Sequence, residues 1–423
     1  MRVTATEHLE WILARIARTD AVRVPIAAAH GAVLAEDVRS GVALPLWDNS
    51  AMDGYALRAA DVRDATVERP VGLRVVGEVL AGSAEDPRIP SGSAVRIMTG
   101  APVPTDADAV LPVESTAADL AGSAWAVDEV RALAPVSAGA HIRRRGEDAP
   151  EGAVLARAGD RLGAARVSAL AAAGIARVAV ARAPRVAVLA TGSELRDPGS
   201  PLERGQIPES NSVLIAGMLR EAGIEPALVR RGEDDATALA AWFAEHSRAY
   251  DCIITTGGVG PGTHDVVRIA LEGAPGVRAV RVAVRPGQPQ CCGRLGVARD
   301  GAFVFGLPGN PVSAAVSFEL FVRPALLAMQ GASVRHRVRV PARAATGWPG
   351  RSDRLQVLPV VVADAPETDA AAHPGLRCAP AVDPGSVSHS VGGHGAADGY
   401  ALVPEGVGDV AEGDMVDVIL VSR

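Results

Sequence analysis

Two acids, an amide, a hydroxyl and a tyrosine crowd into residues 48–56, which read Asp-Asn-Ser-Ala-Met-Asp-Gly-Tyr-Ala. Such a run makes a poor core and a good site. Asp, Asn, Ser and Gly favour turns through local side-chain hydrogen bonds and a permissive backbone, and Trp47 and Met52 offer apolar anchors. The expectation is a folded loop that holds a carboxylate still.

Three further loops carry binding chemistry. An apolar run at 252–255 leads through Thr256 into Gly257, Gly258, Val259, Gly260, Pro261 and Gly262, then into a helix starting near His264. A glycine-rich loop between strand and helix presents unhindered N–H groups beside a helix N-terminus, so phosphate or pyrophosphate is its natural guest. The spacing is neither a Walker A loop nor a dinucleotide fingerprint. In residues 306–313, Gly-Leu-Pro-Gly-Asn-Pro-Val-Ser, two prolines stiffen the backbone, Gly309 permits close approach and Ser313 offers a hydroxyl in the first helical turn. Residues 191–194 place Glu194 at the end of a strand, the edge where ligands sit in open parallel sheets, and Asp265 enters from the helix after the glycine loop. Taken singly, each string also reads as a capped turn or a solvated carboxylate.

These loops need a scaffold. Short apolar runs at 185–189, 227–230, 252–255 and 302–305, spaced by helical stretches such as 212–222 and 237–246, predict a doubly wound parallel sheet with helices on both faces. Residues 22–45 and 152–180 read as two pieces of one small domain split by an insertion, within which 73–80, 94–98 and 109–113 read as strands. Strand-like alternation returns at 335–340, 355–362 and 415–421, fitting a small β-barrel. The fold class is therefore α/β multidomain: a split linker domain at 1–45 plus 147–180, a β-rich insert at 46–146, the sheet domain at 181–330 and a barrel at 331–423. Glu7, Glu10, Arg15 and Arg18 break the first apolar stretch, predicting an amphipathic helix over 4–18 instead of a signal sequence.

Composition sets outer limits. A chain of 423 residues, 48% hydrophobic and 22% charged, can bury several cores. The net charge of −7 weighs against a nucleic-acid partner, since Arg143, Arg144 and Arg145 are followed at once by Glu147 and Asp148. Lysine is absent, so every fixed cation is a guanidinium fork. Cys252, Cys291, Cys292 and Cys378 lack Cys-x-x-Cys spacing and read as reduced buried thiols. No stretch reads as long enough to span a bilayer. A cytoplasmic protein with no membrane partner is the expectation.

The string at 48–56, followed by Arg-Ile-Met-Thr-Gly-Ala-Pro-Val-Pro at 96–104 and Arg-Arg-Arg-Gly-Glu-Asp at 143–148, resembles the MoeA family of molybdopterin molybdenumtransferases, which includes the gephyrin E domain. The resemblance covers essentially the whole chain and takes in 306–313, a string specific to the molybdopterin-binding fold. It implies catalytic roles for Asp53, Asp148, Glu194, Asp234, Asp265, Arg281 and Arg285. It implies substrate contacts at Thr99, Gly257, Gly258, Gly262, Pro308, Asn310, Pro311, Ser313 and Ser388. Mg2+ would be held by Glu194, Asp234 and Asp265, and molybdate by Arg285, Ser313 and Ser388 with Arg351 or Arg354. In the family Asp53 and Asp148 reach the sheet domain of a second subunit, so the resemblance implies a homodimer. It also implies other molybdenum cofactor biosynthesis proteins as partners.

The activity so implied is insertion of molybdate into adenylyl-molybdopterin with release of AMP. Two rival readings stay open: the adenylyltransferase of the same pathway, against which the flanking β domains and the 48–56 string argue, and a gephyrin-like scaffold or specialised paralogue. The chain departs from the family's pattern at several positions. Arg281 and Arg285 replace lysines and Gln288 replaces a third, with loss of charge. Gly260, Pro261 and Thr263 stand where the pattern has Ser, Val and Asp, and Gly392 and Gly393 replace a pair of serines.

Overall fold

The computed structural model describes residues 2–117, 128–232, 234–296, 301–364 and 375–421. At its centre four strands run parallel in the order Leu228–Arg231, Val186–Ala190, Cys252–Thr256, Phe303–Leu307. Alternate side chains feed two cores. Val186, Val188, Ile254, Phe303 and Phe305 pack on one face. Ala187, Leu189, Ile253 and Val304 pack on the other. Burial on both faces is why these strands read as unbroken apolar runs. Helices Asn211–Glu221 and Pro311–Ser317 cover the first face, Ala236–His246 and Val266–Ala270 the second.

Beyond Phe303–Leu307 the sheet continues with Pro289–Arg294 and Val277–Val282, each antiparallel to its neighbour, and then Arg2–Val3, parallel to Val277–Val282. The wholly parallel sheet expected is thus mixed at one side. Its hairpin turn brings Arg285 to the sheet's edge.

The run Pro311–Met329 is helical throughout, α then π over Phe318–Val322 and α again over Arg323–Met329. Its 19 residues are long and apolar enough to cross a membrane, which the sequence reading did not find, but 89% of that stretch is buried inside the protein. It is the core helix, and its enclosure explains why it is mostly apolar, with the buried charges of Glu319 and Arg323 paired to each other. The N-terminal helix is Ala5–Leu13, opened by a reciprocal Thr4–Glu7 capping box, and is shorter than expected. The chain then turns away, and Thr19 N–H donates to Met329 O at 2.8 Å.

In the insert, five strands run in the order Ala109–Pro112, Gly54–Leu57, Ser93–Ile97, Val71–Val79, Glu129–Ala132. Gly54–Leu57, expected as loop, is a fully buried inner strand. Only 51–53 turn. The split linker domain is closed by Ala21–Pro25 pairing with Arg177–Ala181, around a core with Leu34, Leu162, Leu170 and Val180. Insert and linker join through a narrow neck, where Leu44 and Ala149 form an antiparallel bridge with N–H···O bonds of 2.8 and 3.0 Å.

The C-terminal strands Arg339–Ala344, Leu355–Asp364, Leu376–Pro380, Gly399–Val403 and Met415–Leu420 close into a five-stranded barrel. The first strand begins at Arg339, where pairing with Ile419 starts, and not at Arg335; residues 332–338 form a connector. All four cysteines are buried and free.

Candidate functional site

Three strand ends bring three loops together. Thr191 N–H donates to Thr256 O at 3.0 Å, Gly257 N–H to Leu307 O at 3.0 Å, and Asn211 Nδ2 to Gly309 O at 2.7 Å. The first two contacts are backbone to backbone and the third is side chain to backbone. A Cβ on Gly257, whose φ is +93°, would stand 2.6 Å from Thr191 O, so only glycine fits.

The acids divide between these loops. Asp265 faces the glycine loop itself: its Oδ1 accepts from Gly260 N–H and its Oδ2 from Gly262 N–H, both at 2.6 Å. Arg268 donates to the carbonyls of Gly260 and Gly262 at 2.9 and 2.8 Å. The loop donors expected to take phosphate at Gly262 are thus closed by the protein's own carboxylate. Asp234 Oδ2 accepts from Ser193 N–H at 2.9 Å, while Glu194 lies over Gly192. Glu194 and Asp234 therefore share one loop and Asp265 serves another. Among the described residues no three His, Cys, Asp or Glu side chains gather as metal ligands.

Next to Pro308 and Asn310 opens a cavity of about 260 Å³, lined also by Arg285, Pro286, Gly287, Ser313 and Ser388. Arg285 reaches across from the sheet to the C-terminal loop, donating to Pro384 O and Gly385 O at 3.1 and 3.0 Å. Burial, then the positive charges of Arg351 and Arg354, push its pKa below the usual arginine value. Of these three guanidinium groups Arg285 lines the cavity, while Arg351, which is exposed, and Arg354 bear on its charge from outside the lining. Arg354 is paired with Asp353, which also accepts from Arg2 at 3.3 Å. The Arg354 hydrogen bond pulls the Asp353 carboxyl down to about 2.

Arg281 and Gln288 stand outside this lining. Arg281 is exposed on the strand beside Arg2, and Gln288 sits in the hairpin with its carbonyl accepting from Val282 N–H at 2.8 Å. Pro311 opens the core helix behind the cavity. Two residues that the sequence did not single out hold its wall: buried Gln290 donates to Gly287 O and Ser317 Oγ, both at 2.7 Å, and Ser317 Oγ donates to Ser313 O at 2.7 Å. A glutamine in a strand and a serine one turn into a helix carry no sequence signal of that role. At Gly393 a Cβ would come within 2.5 Å of Ala381 O, so local backbone excludes a serine there, whereas Gly392 has open space.

The three N-terminal strings meet in one knot. Asp53 Oδ1 accepts from Thr99 N–H at 2.6 Å and from Thr99 Oγ1 at 2.7 Å, and those bonds, backbone first, hold its carboxyl below the usual range. Asp48 accepts from Arg144 Nη1 at 2.6 Å and Arg145 N–H at 2.7 Å. Asn49 pairs with Arg143 and bridges Pro102. Trp47, expected as an anchor, is 52% exposed. Asp148 is exposed, and neither it nor Asp53 lines the arginine cavity.

A sheet whose C-terminal edge carries clustered loops and a cationic cavity, flanked by a split linker, a β-rich insert and a barrel, defines a multidomain enzyme of the molybdopterin-binding class. The chain matches the MoeA N-terminal region (domain I and II) over residues 3–174, the probable molybdopterin binding domain over 187–328 and the MoeA C-terminal region (domain IV) over 341–421. It is 41% identical over 331 residues to a Mycobacterium tuberculosis protein named molybdopterin molybdenumtransferase 2, covering 77% of this chain and 79% of that one. To molybdopterin molybdenumtransferase 1 of the same species it is 35% identical over 422 residues, covering 95% of each. A crystal structure of a molybdopterin biosynthesis MoeA protein from Pyrococcus horikoshii superposes with a TM-score of 0.81 at 28% identity, covering both chains fully. The chain belongs to the MoeA family of molybdopterin molybdenumtransferases, enzymes of molybdenum cofactor biosynthesis.

Proposed function

We propose that this chain inserts molybdate into adenylyl-molybdopterin, releasing AMP as the phosphoanhydride is cleaved. The observation that carries this reading is the small cavity lined by the Arg285 guanidinium and the hydroxyls of Ser313 and Ser388, with the positive charges of Arg351 and Arg354 bearing on Arg285 from outside the lining. A guanidinium fork fixed beside two hydroxyls in a small cavity is suited to a tetrahedral dianion. Pro308, Asn310 and the Gly257 turn form the adjoining floor, where a pterin tail would lie beside the oxyanion. Holding two anions at one reacting centre is the chief contribution of this geometry.

The residues present fit a magnesium ion at the Thr191–Glu194 loop: Glu194 and Asp234 are exposed neighbouring carboxylates, a hard-oxygen pair of the kind that binds Mg2+ together with substrate phosphate. Asp265 is outside that set, since both its oxygens are engaged. Such an ion would neutralise phosphate charge as AMP departs. We assign Asp53 and Asp148 to the site of a partner subunit in a cytoplasmic homodimer, because both acids are exposed and away from the cavity of their own chain. Domain limits of 1–45 plus 147–180, 46–146, 181–330 and 331–423 fit this division of labour.

Purified protein incubated with adenylyl-molybdopterin, Mg2+ and molybdate is expected to release AMP and form cofactor; AMP release without cofactor, or neither, refutes the assignment. Asp53→Ala should fold normally and lose nearly all AMP release. Mixed with a Glu194→Ala chain, it should regain part of the activity; verified mixed dimers that stay inactive would contradict the shared site.

A further inference from the structure

A second cavity, of about 530 Å³, opens where the linker, the core helix and the connector to the barrel meet, and none of its lining residues belongs to the site described above. Arg161 and Arg166 come from the linker, Glu221 from the end of helix Asn211–Glu221, Arg323 and Leu327 from the core helix, and His336 and Arg337 from the connector. Four arginines, Arg161, Arg166, Arg323 and Arg337, face two carboxylates, Asp160 and Glu221.

The internal pairing does not exhaust those cations. Glu319, buried behind the wall, accepts from Arg323 Nε at 2.8 Å and from Arg337 Nε at 3.3 Å, and Glu221 accepts from Arg337 Nη2 at 2.5 Å. Arg323 Nη2 is left 3.8 Å from Glu221, beyond hydrogen-bond reach, and has no hydrogen-bond partner although its side chain is only 5% exposed. An unmet guanidinium donor in a buried side chain is a costly arrangement unless an acceptor arrives. On the rim Arg161 Nε and Arg166 Nη1 donate only to the carbonyls of Gly31 and Arg161, and Arg166 Nη2 stands 3.7 Å from Asp160. Burial, then Arg339, pushes the His336 pKa down, so the imidazole is neutral and adds no charge. The opposite wall is apolar, with Val334 and Val338 about three-quarters exposed beside Val340 and Leu327.

We propose that this cavity binds a phosphorylated small organic molecule, its phosphate between Arg161, Arg166 and Arg323 and its apolar body on Val334 and Val338. Surplus planar forks select an oxyanion over a carbonyl or cation. Two large apolar side chains left in water at the rim favour a ligand with a body over a bare ion. A molecule seated there would touch linker, core helix and barrel connector together.

The test is calorimetric titration of the full chain carrying Arg285→Ala, which disables the arginine cavity at the sheet edge, with phenyl phosphate, inorganic phosphate and phenol. One phenyl phosphate per chain is expected, bound about tenfold more tightly than inorganic phosphate, and no binding of phenol. Adding Arg161→Ala with Arg166→Ala, both exposed, should weaken phenyl phosphate at least tenfold. Val334→Ser with Val338→Ser should remove the advantage of the phenyl group and leave inorganic phosphate unchanged. No phosphate binding in the Arg285→Ala chain, or binding indifferent to loss of Arg161 and Arg166, overturns the proposal.

Discussion

The glycine loop after Cys252–Thr256 and the arginine cavity beside Pro308 occupy the same edge of the same sheet, yet they treat their polar groups in opposite ways. In the loop, Asp265 and Arg268 satisfy donors and acceptors of Gly260 and Gly262 from within. At the cavity, Arg285 is held by two neutral carbonyls and not by a carboxylate, unlike neighbouring Arg354, which Asp353 pairs. A closed hydrogen-bond circuit gives shape; an open one gives affinity. The difference separates residues that build this edge from residues that use it.

Removing the open member should have the largest effect. Arg285→Ala is expected to raise the molybdate concentration for half-maximal AMP release by about tenfold to a hundredfold, the worth of charge-assisted bonds to an oxyanion, with urea stability little changed. An unmoved molybdate dependence would break the comparison at its functional side. Asp265→Ala tests the structural side: it leaves two loop N–H groups unpaired and should lower unfolding free energy by about 1–3 kcal/mol in urea. If stability holds while Mg2+ dependence shifts, Asp265 belongs with the ligand-binding group instead.

A smaller effect is expected from Gln288→Lys. The missing charge would lie near the cavity but outside its lining, so molybdate dependence should improve by about threefold, less than 1 kcal/mol in a solvated setting. The smallest concerns pH. Asp353, depressed to about 2 in the folded chain against about 3.9 unfolded, keeps its pairing with Arg354 above pH 4 and loses it as pH falls toward 2. Sulfate, which does not itself titrate in this range, should therefore bind the cavity with less than about twofold change between pH 7 and 4.5; tightening that begins above pH 4 would mean that Asp353 is not held down by Arg354.

Sequence foresaw these parts unevenly. The turn at 48–53 was legible from its residue types, but that it is knotted to Thr99 and Arg144 was not, because those residues lie 46 and 96 positions from Asp53 and Asp48 and only tertiary hydrogen bonds join them. Arg285, Ser313 and Ser388 were legible through the resemblance, and they line one cavity. The hairpin of Val277–Val282 and Pro289–Arg294 was not foreseen, because Arg278, Arg281 and Gly293 interrupt its apolar pattern and its pairing is antiparallel within an otherwise parallel sheet. That Asp265 closes the glycine loop was not legible, because a carboxylate after such a loop has the same spelling whether it faces a ligand or folds back onto Gly260 and Gly262. The strand placed at 335–340 slipped because alternation alone does not say where a barrel partner begins.

The neck between linker and insert has a mechanical consequence. Among the described residues the two segments that cross it are joined by a single bridge at Leu44 and Ala149, and so narrow a two-stranded connection is marginal by itself. The insert should therefore behave as an arm that moves about this neck. Because Asp53 and the Arg144 turn are bonded into that arm, rocking would carry the acidic knot as one rigid head, changing its bearing and reach without altering its internal distances.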